Sequence, residues 1–532
     1  MDLGISPQTL HLVVDSDPTL DNLADCLRQS GLTVSTLPTA SGLAGMEAAF
    51  ERDVAGQTFR SISLYSHASQ GALSLGHNVV RKSNLNKYRS FFEAVGRHLA
   101  PGGDLLIYGC NLAAGAKGHD FLQSLSGLVG ADVAGSTNIT GRDGDWRLEV
   151  TTGAIEEPQQ DLLTGLSWDH NLTSITEPIR VPLHWQHVNG SADKPRKLGL
   201  YVSLGEGRTP QLMEFDTGGP GLFATYAPGD VSPWWGTQWS DTGDPFEMSY
   251  DSGLNYTGDV VRTQVAIFAD QSAKEPLLQC DDVTVGQAQM VTKTDGANVT
   301  NLWPLPTADS LPPTDGAFWG DFGMALQPGQ SGVDSLPMQL SYGKGVRAGF
   351  RVHASSKNPW VQFGLTSEDL RDDQGATLAL NPHKGRSRTG VPFYKFKVAK
   401  GSLSVDVPRT KSSRHETYSR PLGILFDTGA YTTIHSSPTE AFPLRLSQDR
   451  AGAQLSKGAK VVLMGDQPLY RQRHDQVAVL KLKAGNQIDD NLVTLQTTNR
   501  FYINTGILPF LSQDLIYDLQ GGRLKLIKRK QP

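Results

Sequence analysis

The sequence predicts a multidomain chain: an N-terminal three-layer α/β domain, followed by an all-β region large enough for two lobes. Three observations predict it. From Leu10 to about Leu166, short apolar runs alternate with amphipathic helical segments, the pattern of helices layered on a mostly parallel sheet. After Trp168-Asp169-His170 the helical pattern nearly vanishes, and short strands broken by Gly, Pro, Asp and Ser clusters follow. At 532 residues, with 38 % hydrophobic and 19 % charged residues, the chain is too long for one core and has a folded protein's composition.

In the first region Leu10 to Asp15 reads as a buried strand, and Asp17 to Ser30 as a capped amphipathic helix. Further strands are expected at Ser61–Ser66, Asp104–Tyr108 and Ala131–Gly135, with helices around Ser90–Leu99 and Phe121–Val129. In the second region the alternating strands include Lys197–Ser203, Val260–Phe268, Phe393–Val398 and Val461–Met464. The composition shift gives an α/β domain over 1–168, a linker over 169–177, and an all-β region over 178–532 large enough for two lobes.

A formal charge of −6 gives no electrostatic case for nucleic acid or an anionic membrane as partner. Cys26, Cys110 and Cys280 are too few for a disulfide framework, so packing must supply the stability. No run approaches the length of a membrane-spanning helix, and Met1-Asp2-Leu3-Gly4 lacks the basic and apolar segments of a signal peptide. The compartment is left open between the cytoplasm and export or the cell surface without a cleavable signal, and the oligomeric state is also open. His353, His383, His415 and His435 lack metal-ligand spacing, and His435 is expected at the surface. No metal or cofactor is implied. The basic end, Lys525 to Lys530, is expected to finish a final strand.

The chemistry lies in a repeated triplet. Asp-Thr-Gly occurs at Asp216-Thr217-Gly218 and Asp427-Thr428-Gly429, 211 residues apart. Composition alone predicts about 0.3 copies, so context decides. Each of these two follows an apolar strand end, Leu212-Met213-Glu214-Phe215 or Gly423-Ile424-Leu425-Phe426. A third copy, Asp241-Thr242-Gly243, sits in a polar turn and is read as an accident. Two buried strands that each deliver an aspartate to a glycine turn can bring two carboxylates together, and like charges that close share one proton. One then serves as general base on a water while the other polarises a carbonyl; the pair titrates as a unit.

Over about residues 178–528 the chain resembles the pepsin family of aspartic peptidases, through an ordered set of elements. Leu198 to Gly205 followed by Pro210-Gln211 is similar to the approach to the first catalytic turn. Met248-Ser249-Tyr250-Asp251-Ser252-Gly253, then Tyr256-Thr257-Gly258, is similar to the flap hairpin, which makes Tyr250 the flap tyrosine that closes over substrate. Asp315-Gly316 and Phe322 to Leu326 resemble the apolar-apolar-glycine strand threading the first lobe; Asn504 to Leu511, with Ile516-Tyr517-Asp518, resembles its second-lobe counterpart. The resemblance implies an N-lobe over 178–350 and a C-lobe over 351–532, Asp216 and Asp427 as catalytic residues, turns shaped by Gly218 and Gly429 and braced by Thr217 and Thr428, and a polypeptide substrate. Pepsin-like enzymes usually follow the glycine with a hydroxyl side chain bonded to the aspartate's outer oxygen; here Gly219 and Ala430 stand there. Ala430 is similar to the retroviral aspartic peptidases. Loss of such a bond should raise the carboxyl pKa and move the working pH upward.

In the first region Ser66-His67-Ala68 and Tyr108-Gly109-Cys110-Asn111 end two expected strands, on one edge of a parallel sheet, where such folds build sites. A thiol within reach of an imidazole is a potential nucleophile, so His67 and Cys110 form a second candidate site. Residues 8–157 resemble the bacterial domain-of-unknown-function family 4347, through Leu64-Tyr65-Ser66-His67, Gly71 to Gly76, Asp104 to Asn111, Gly130 to Ala134 and Gly144 to Glu149. The His/Cys layout in turn resembles the caspase-like cysteine peptidases, by fold-level analogy. The function expected is an aspartic endopeptidase. The alternatives are an inactive pepsin-like binding module, and a cysteine peptidase or autoprocessing activity from His67 and Cys110.

Overall fold

The computed structural model describes residues 9–529 except 16–17, 39–41, 76–77, 139, 142–144, 157–162, 164–165, 167, 169–174, 176, 188–195, 206, 208, 228–233, 251, 304–317, 344–345, 372–374, 408–415, 437–445, 448–452, 456, 468–475, 486–491 and 499. Asp315-Gly316, His415 and most of the expected linker fall outside the described residues. The protein is multidomain and mostly β, with several separate sheets. It divides into two compact units, Met1–Pro178 with Ser341–Arg347, and Ile179–Leu340 with Ala348–Pro532.

In the first unit a six-stranded sheet runs in the order Val34–Pro38, Thr9–Asp15, Phe59–Tyr65, Leu99–Tyr108, Asp132–Gly135, Val150–Thr151. The first five strands are parallel and the last is antiparallel. Strand alternation splits the core into two. Leu10, Leu12 and Val14 join one cluster with Phe50, Phe91, Phe121 and Leu125, whereas Val13 joins the other with Leu20, Leu23 and Leu27. The sheet is thus covered on both faces, as parallel sheets require.

Two expected boundaries move. The helix expected from Phe121 begins at Gly115, and the one expected to reach Leu99 ends at Arg97, with Leu99 opening the next strand. Gly96 explains the tight packing there: a Cβ on it would lie 2.0 Å from the Val129 carbonyl, so only glycine lets these helices touch. Strand Val34–Pro38 and helix Gly42–Val54 were not singled out by pattern.

In the second unit the expected strands extend to Arg196–Leu204, Leu254–Phe268 and Lys460–Asp466. The run Phe393–Val398 instead splits between Pro392–Tyr394 and a strand starting at Ala399. Two nine-stranded sheets carry the candidate turns, and they share one motif. Strand Gln211–Asp216 pairs in parallel with Gly320–Gly323, which pairs antiparallel with Leu222–Thr225. Strand Glu416–Leu425 pairs in parallel with Tyr502–Asn504, which pairs antiparallel with Thr433–Ser436. In each case a later strand threads between the two that flank an Asp-Thr-Gly turn.

His435 departs from expectation. It lies in Thr433–Ser436, is buried, and stacks on Tyr502 with ring centroids 4.1 Å apart. The apolar face of that strand captured it, which eight residues' distance from Asp427 did not reveal.

A third, six-stranded sheet contains Ile179–Pro182, Trp360–Leu365, Arg347–His353, Gln513–Asp518, Arg523–Lys528 and Ala376–Ala379. Buried Asp514 ties its strands together, accepting hydrogen bonds from Arg351 at 2.6 Å, His353 at 2.7 Å and Arg529 at 2.9 Å. Trp360 stacks on His353, with the guanidinium groups of Arg180 and Arg351 over its ring at 4.5 and 5.4 Å. One carboxylate therefore satisfies three donors from partly buried side chains; without it Arg351 keeps Asp369 and Arg529 keeps the Ala354 and Phe510 carbonyls, but the three bonds to Asp514 are lost together. Asp514→Ala is expected to destabilise this unit by about 1–3 kcal/mol. Chemical denaturation of the full chain, followed by tryptophan fluorescence, measures the loss.

Candidate active site

Both Asp-Thr-Gly turns begin where a buried strand ends. Leu212, Met213 and Phe215 anchor the first, and Leu422, Ile424 and Phe426 anchor the second, so neither aspartate can turn back into solvent. Inside each turn the aspartate accepts the backbone N–H two residues on: Gly218 to Asp216 Oδ1 at 2.7 Å, Gly429 to Asp427 Oδ1 at 2.8 Å. This Asx-type closure is local, and the discarded copy makes it too, Gly243 N–H to Asp241 Oδ1 at 2.8 Å. That copy lies exposed at an irregularity within strand Trp239–Ser249, not in a free turn.

What separates the other two is their mutual contact. Thr217 N–H donates to Thr428 Oγ1, and Thr428 N–H donates to Thr217 Oγ1, both at 3.0 Å. Each hydroxyl then donates across to the carbonyl preceding the opposite aspartate, Thr217 to Phe426 at 3.0 Å and Thr428 to Phe215 at 2.7 Å. The four bonds are buried and reciprocal. They fix the separation of the two strands that deliver the carboxylates.

The glycines make the approach possible. A Cβ on Gly218 would lie 2.4 Å from Cγ of Asp427, and one on Gly429 would lie 2.7 Å from Cγ of Asp216. Asp216 and Asp427 are thus brought together, each seated against the other's glycine, and both are largely buried. Burial first, and then the neighbouring Asp216, push the Asp427 carboxyl well above the usual range, against the opposing bonds from Asn504 and Gly429.

The outer oxygen of Asp427 has a partner that the sequence reading did not assign. Asn504 Nδ2 donates to Asp427 Oδ2 at 2.6 Å, so an amide from the threading strand serves where Ala430 has no hydroxyl. On the other side Asp321, also unassigned, reaches the site from strand Gly320–Gly323. Its Oδ2 lies 2.7 Å, and Asp216 Oδ2 lies 2.8 Å, from where a Cβ on Gly219 would sit. Tyr250, at the hairpin turn between Trp239–Ser249 and Leu254–Phe268, hydrogen-bonds Asp321 Oδ2 through its hydroxyl. The tyrosine ring packs against Tyr256 and Phe223. Asp321 had a signal: it stands before Phe322-Gly323, where the resemblance calls for an apolar residue. Asn504 carried the same signal, a polar residue two places before the glycine of Asn504-Thr505-Gly506.

In the first unit the register Tyr65 opposite Tyr108 puts His67 and Cys110 at equivalent places, each two residues past a pair on neighbouring parallel strands. Both are buried. Cys110 has no exposed surface, packs among Tyr65, Tyr108, Trp146 and Trp168, and its Sγ accepts the Thr140 N–H at 3.0 Å.

Residues 12–167 match the family described as Domain of unknown function (DUF4347), so the N-terminal region contains a domain of that family. No curated protein matches the chain. Among solved structures, the chain is similar to the aspartic proteinase from Irpex lacteus at 12 % identity and a TM-score of 0.37, over 66 % of this chain and 98 % of that one. It is also similar to Basic 7S globulin from soybean at 13 % identity and a TM-score of 0.40, over 66 % of this chain and 96 % of that one.

Two outcomes follow from the geometry. Thr217→Val or Thr428→Val removes a crossing hydroxyl and strands a buried N–H, so each should cost about 1–3 kcal/mol in denaturant melts. The raised Asp427 carboxyl means that the folded state holds a proton the unfolded chain releases, so its contribution to stability falls as pH rises above the unfolded value of about 4. Asp427→Asn should therefore raise the melting temperature by a few degrees near neutral pH, on the order of 2–4 °C per kcal/mol, and leave it unchanged near pH 3. Calorimetry across that range reads the difference.

Proposed function

We propose that the second unit is an aspartic endopeptidase module of pepsin-like, bilobal architecture, with Asp216 and Asp427 as its catalytic pair. One observation carries this reading: the reciprocal threonine bonds hold two glycine-cradled carboxylates together in a desolvated place. A purely structural turn has no use for such an arrangement, because each buried carboxylate raises the cost of ionising the other. Sharing one proton resolves the conflict and creates the chemistry. The ionised member takes a proton from a water, the water oxygen attacks the scissile carbonyl, and the protonated member donates to the carbonyl oxygen. Collapse of the tetrahedral intermediate with proton transfer to the amine releases the two peptides and restores the pair. Neither aspartate is assigned one role, since they titrate together.

The shared strand motif supports lobes over 178–350 and 351–532, and the Asn504 donor to the outer oxygen of Asp427, where Ala430 has no hydroxyl, favours an active site over an inactive binding module. Tyr250 fits the flap role through its hairpin position and its reach towards the site. For 1–168 we propose a three-layer caspase-like arrangement, supported by the strand order and the paired positions of His67 and Cys110. A nucleophile must meet substrate, however, and the Cys110 thiol is enclosed. We therefore place peptide hydrolysis at the carboxylates.

Digestion of casein and of a peptide library by the full chain tests the reading. Asp216→Asn and Asp427→Asn should each lower kcat/KM by at least about 1,000-fold, pepstatin should inhibit, and Cys110→Ala should cleave as the parent does. Cleavage that survives both aspartate variants would sink the proposal. Loss on Cys110→Ala alone would transfer the activity to the first unit.

A further inference from the structure

The two half-sites are alike in topology and differ in the residue that borders the outer oxygen of each aspartate. In the parallel register, Asp321 stands opposite Glu214, two residues before Asp216, and Asn504 stands opposite Leu425, two residues before Asp427. Asp321 and Asn504 are therefore equivalent positions. Asn504 donates to the outer oxygen of its aspartate. Asp321 stands beside the outer oxygen of Asp216, where the residue after the glycine, Gly219, brings no hydroxyl.

Resting on the peptidase reading above, we propose that Asp321, in its protonated form, is the positioning residue for Asp216, the counterpart of Asn504, and links the carboxylate pair to Tyr250. Three observations support it. Both Asp321 Oδ2 and Asp216 Oδ2 border the space over Gly219, within 2.7 and 2.8 Å of a Cβ there, so a side chain at 219 would displace both carboxyls. Gly219 does not adopt a left-handed φ, so the backbone does not demand glycine; the neighbouring carboxyls do. Asp321 is 6 % exposed, its Oδ1 has no hydrogen-bond partner among the described residues, and its Oδ2 is held by Tyr250.

The surrounding charges favour the neutral form. Asp216 and Glu214 face Asp321 from the adjacent strand, Tyr250 faces it from the hairpin, and Lys197, across the sheet, is 2.8 Å from Glu214 in an ion pair. Burial first, then Asp216 and Glu214, push the Asp321 carboxyl well above its usual range, with Tyr250 and Lys197 opposing. A protonated carboxyl can donate a hydrogen bond as an amide does; an ionised one would set a third negative charge against the pair. The site would then stay competent only while Asp321 keeps its proton, and activity would lose two coupled ionisations on its alkaline side instead of one.

The test compares the parent full chain with Asp321→Asn, Gly219→Ser and Gly219→Ser/Asp321→Ala, using one peptide cleaved in the library digest. Asp321→Asn keeps a neutral donor, so kcat/KM at the acid optimum should stay within about threefold of the parent, while the alkaline limb becomes shallower by one proton and extends to higher pH. Gly219→Ser alone should lose about 100-fold through collision with both carboxyls. The double variant, which restores a hydroxyl after the glycine and vacates its space, should recover at least about tenfold of that loss. An Asp321→Asn profile that superimposes on the parent's, or a double variant no better than Gly219→Ser, would overturn the inference while leaving the dyad intact. Melting temperatures give a readout independent of cleavage. Asp321→Asn should raise the midpoint near neutral pH and not near pH 3, and an unchanged pH dependence would also overturn the proposal. Failure of the peptidase reading is separately visible, as cleavage indifferent to Asp216→Asn and Asp427→Asn.

Discussion

The second unit is organised around an electrostatic conflict held in place by hydrogen bonds. Two carboxylates lie against each other's glycine, away from bulk water, and burial and the neighbouring Asp216 oppose ionisation of Asp427. The opposing force is the reciprocal bonding of Thr217 and Thr428, which ties each turn to the backbone of the other. Each such bond contributes only about 1 kcal/mol net, yet all four must be made together because their donors and acceptors are buried. The two sheets behind them supply rigidity. Their shared motif, a later strand threading beside the strand that ends at the turn, fixes where each aspartate emerges.

The departures at Gly219 and Ala430 acquire a physical meaning in this setting. On one side Asn504 supplies a donor to Asp427 Oδ2; on the other Asp321 fills the space that a side chain at 219 would need. Both come from threading strands, at matching positions. The outer environment of the carboxylates has been moved from the turn to the strand beside it. A hydroxyl in the turn responds only to its own aspartate, whereas Asp321 also meets Tyr250 and the charge of Glu214. On the proposal that Asp321 holds a proton, this side of the site gains a proton-dependent contact that its amide counterpart lacks.

The first unit follows different physics. Its parallel sheet is covered on both faces, and the residues that end its central strands, His67 and Cys110 included, are drawn into the packing. Aromatic side chains dominate one face, with Tyr65 and Tyr108 stacked at 4.9 Å and Trp146 edge-on to both. A cysteine among them is a small apolar residue before it is a thiol.

Much of this was legible in the amino-acid order. Apolar alternation marked the strands of both units, their change of texture separated an α/β region from an all-β one, and strand-end context separated Asp216 and Asp427 from Asp241. These are local properties, fixed by which side chains a strand or turn can carry. The sequence could not say that His435 would be buried under Tyr502, since its partner lies 67 residues away and only the sheet brings them together. Nor could it assign Asn504 and Asp321 their places. Asp321 and Asp216 are 105 residues apart, and a polar residue in a strand reads the same facing solvent or a carboxylate. The triplets alone determined that two glycine turns would each present an aspartate. That the turns meet, bond through their threonines and take Asn504 and Asp321 as neighbours from the threading strands was decided by tertiary structure, because non-local pairing sets distance and desolvation, and these govern a carboxylate's chemistry.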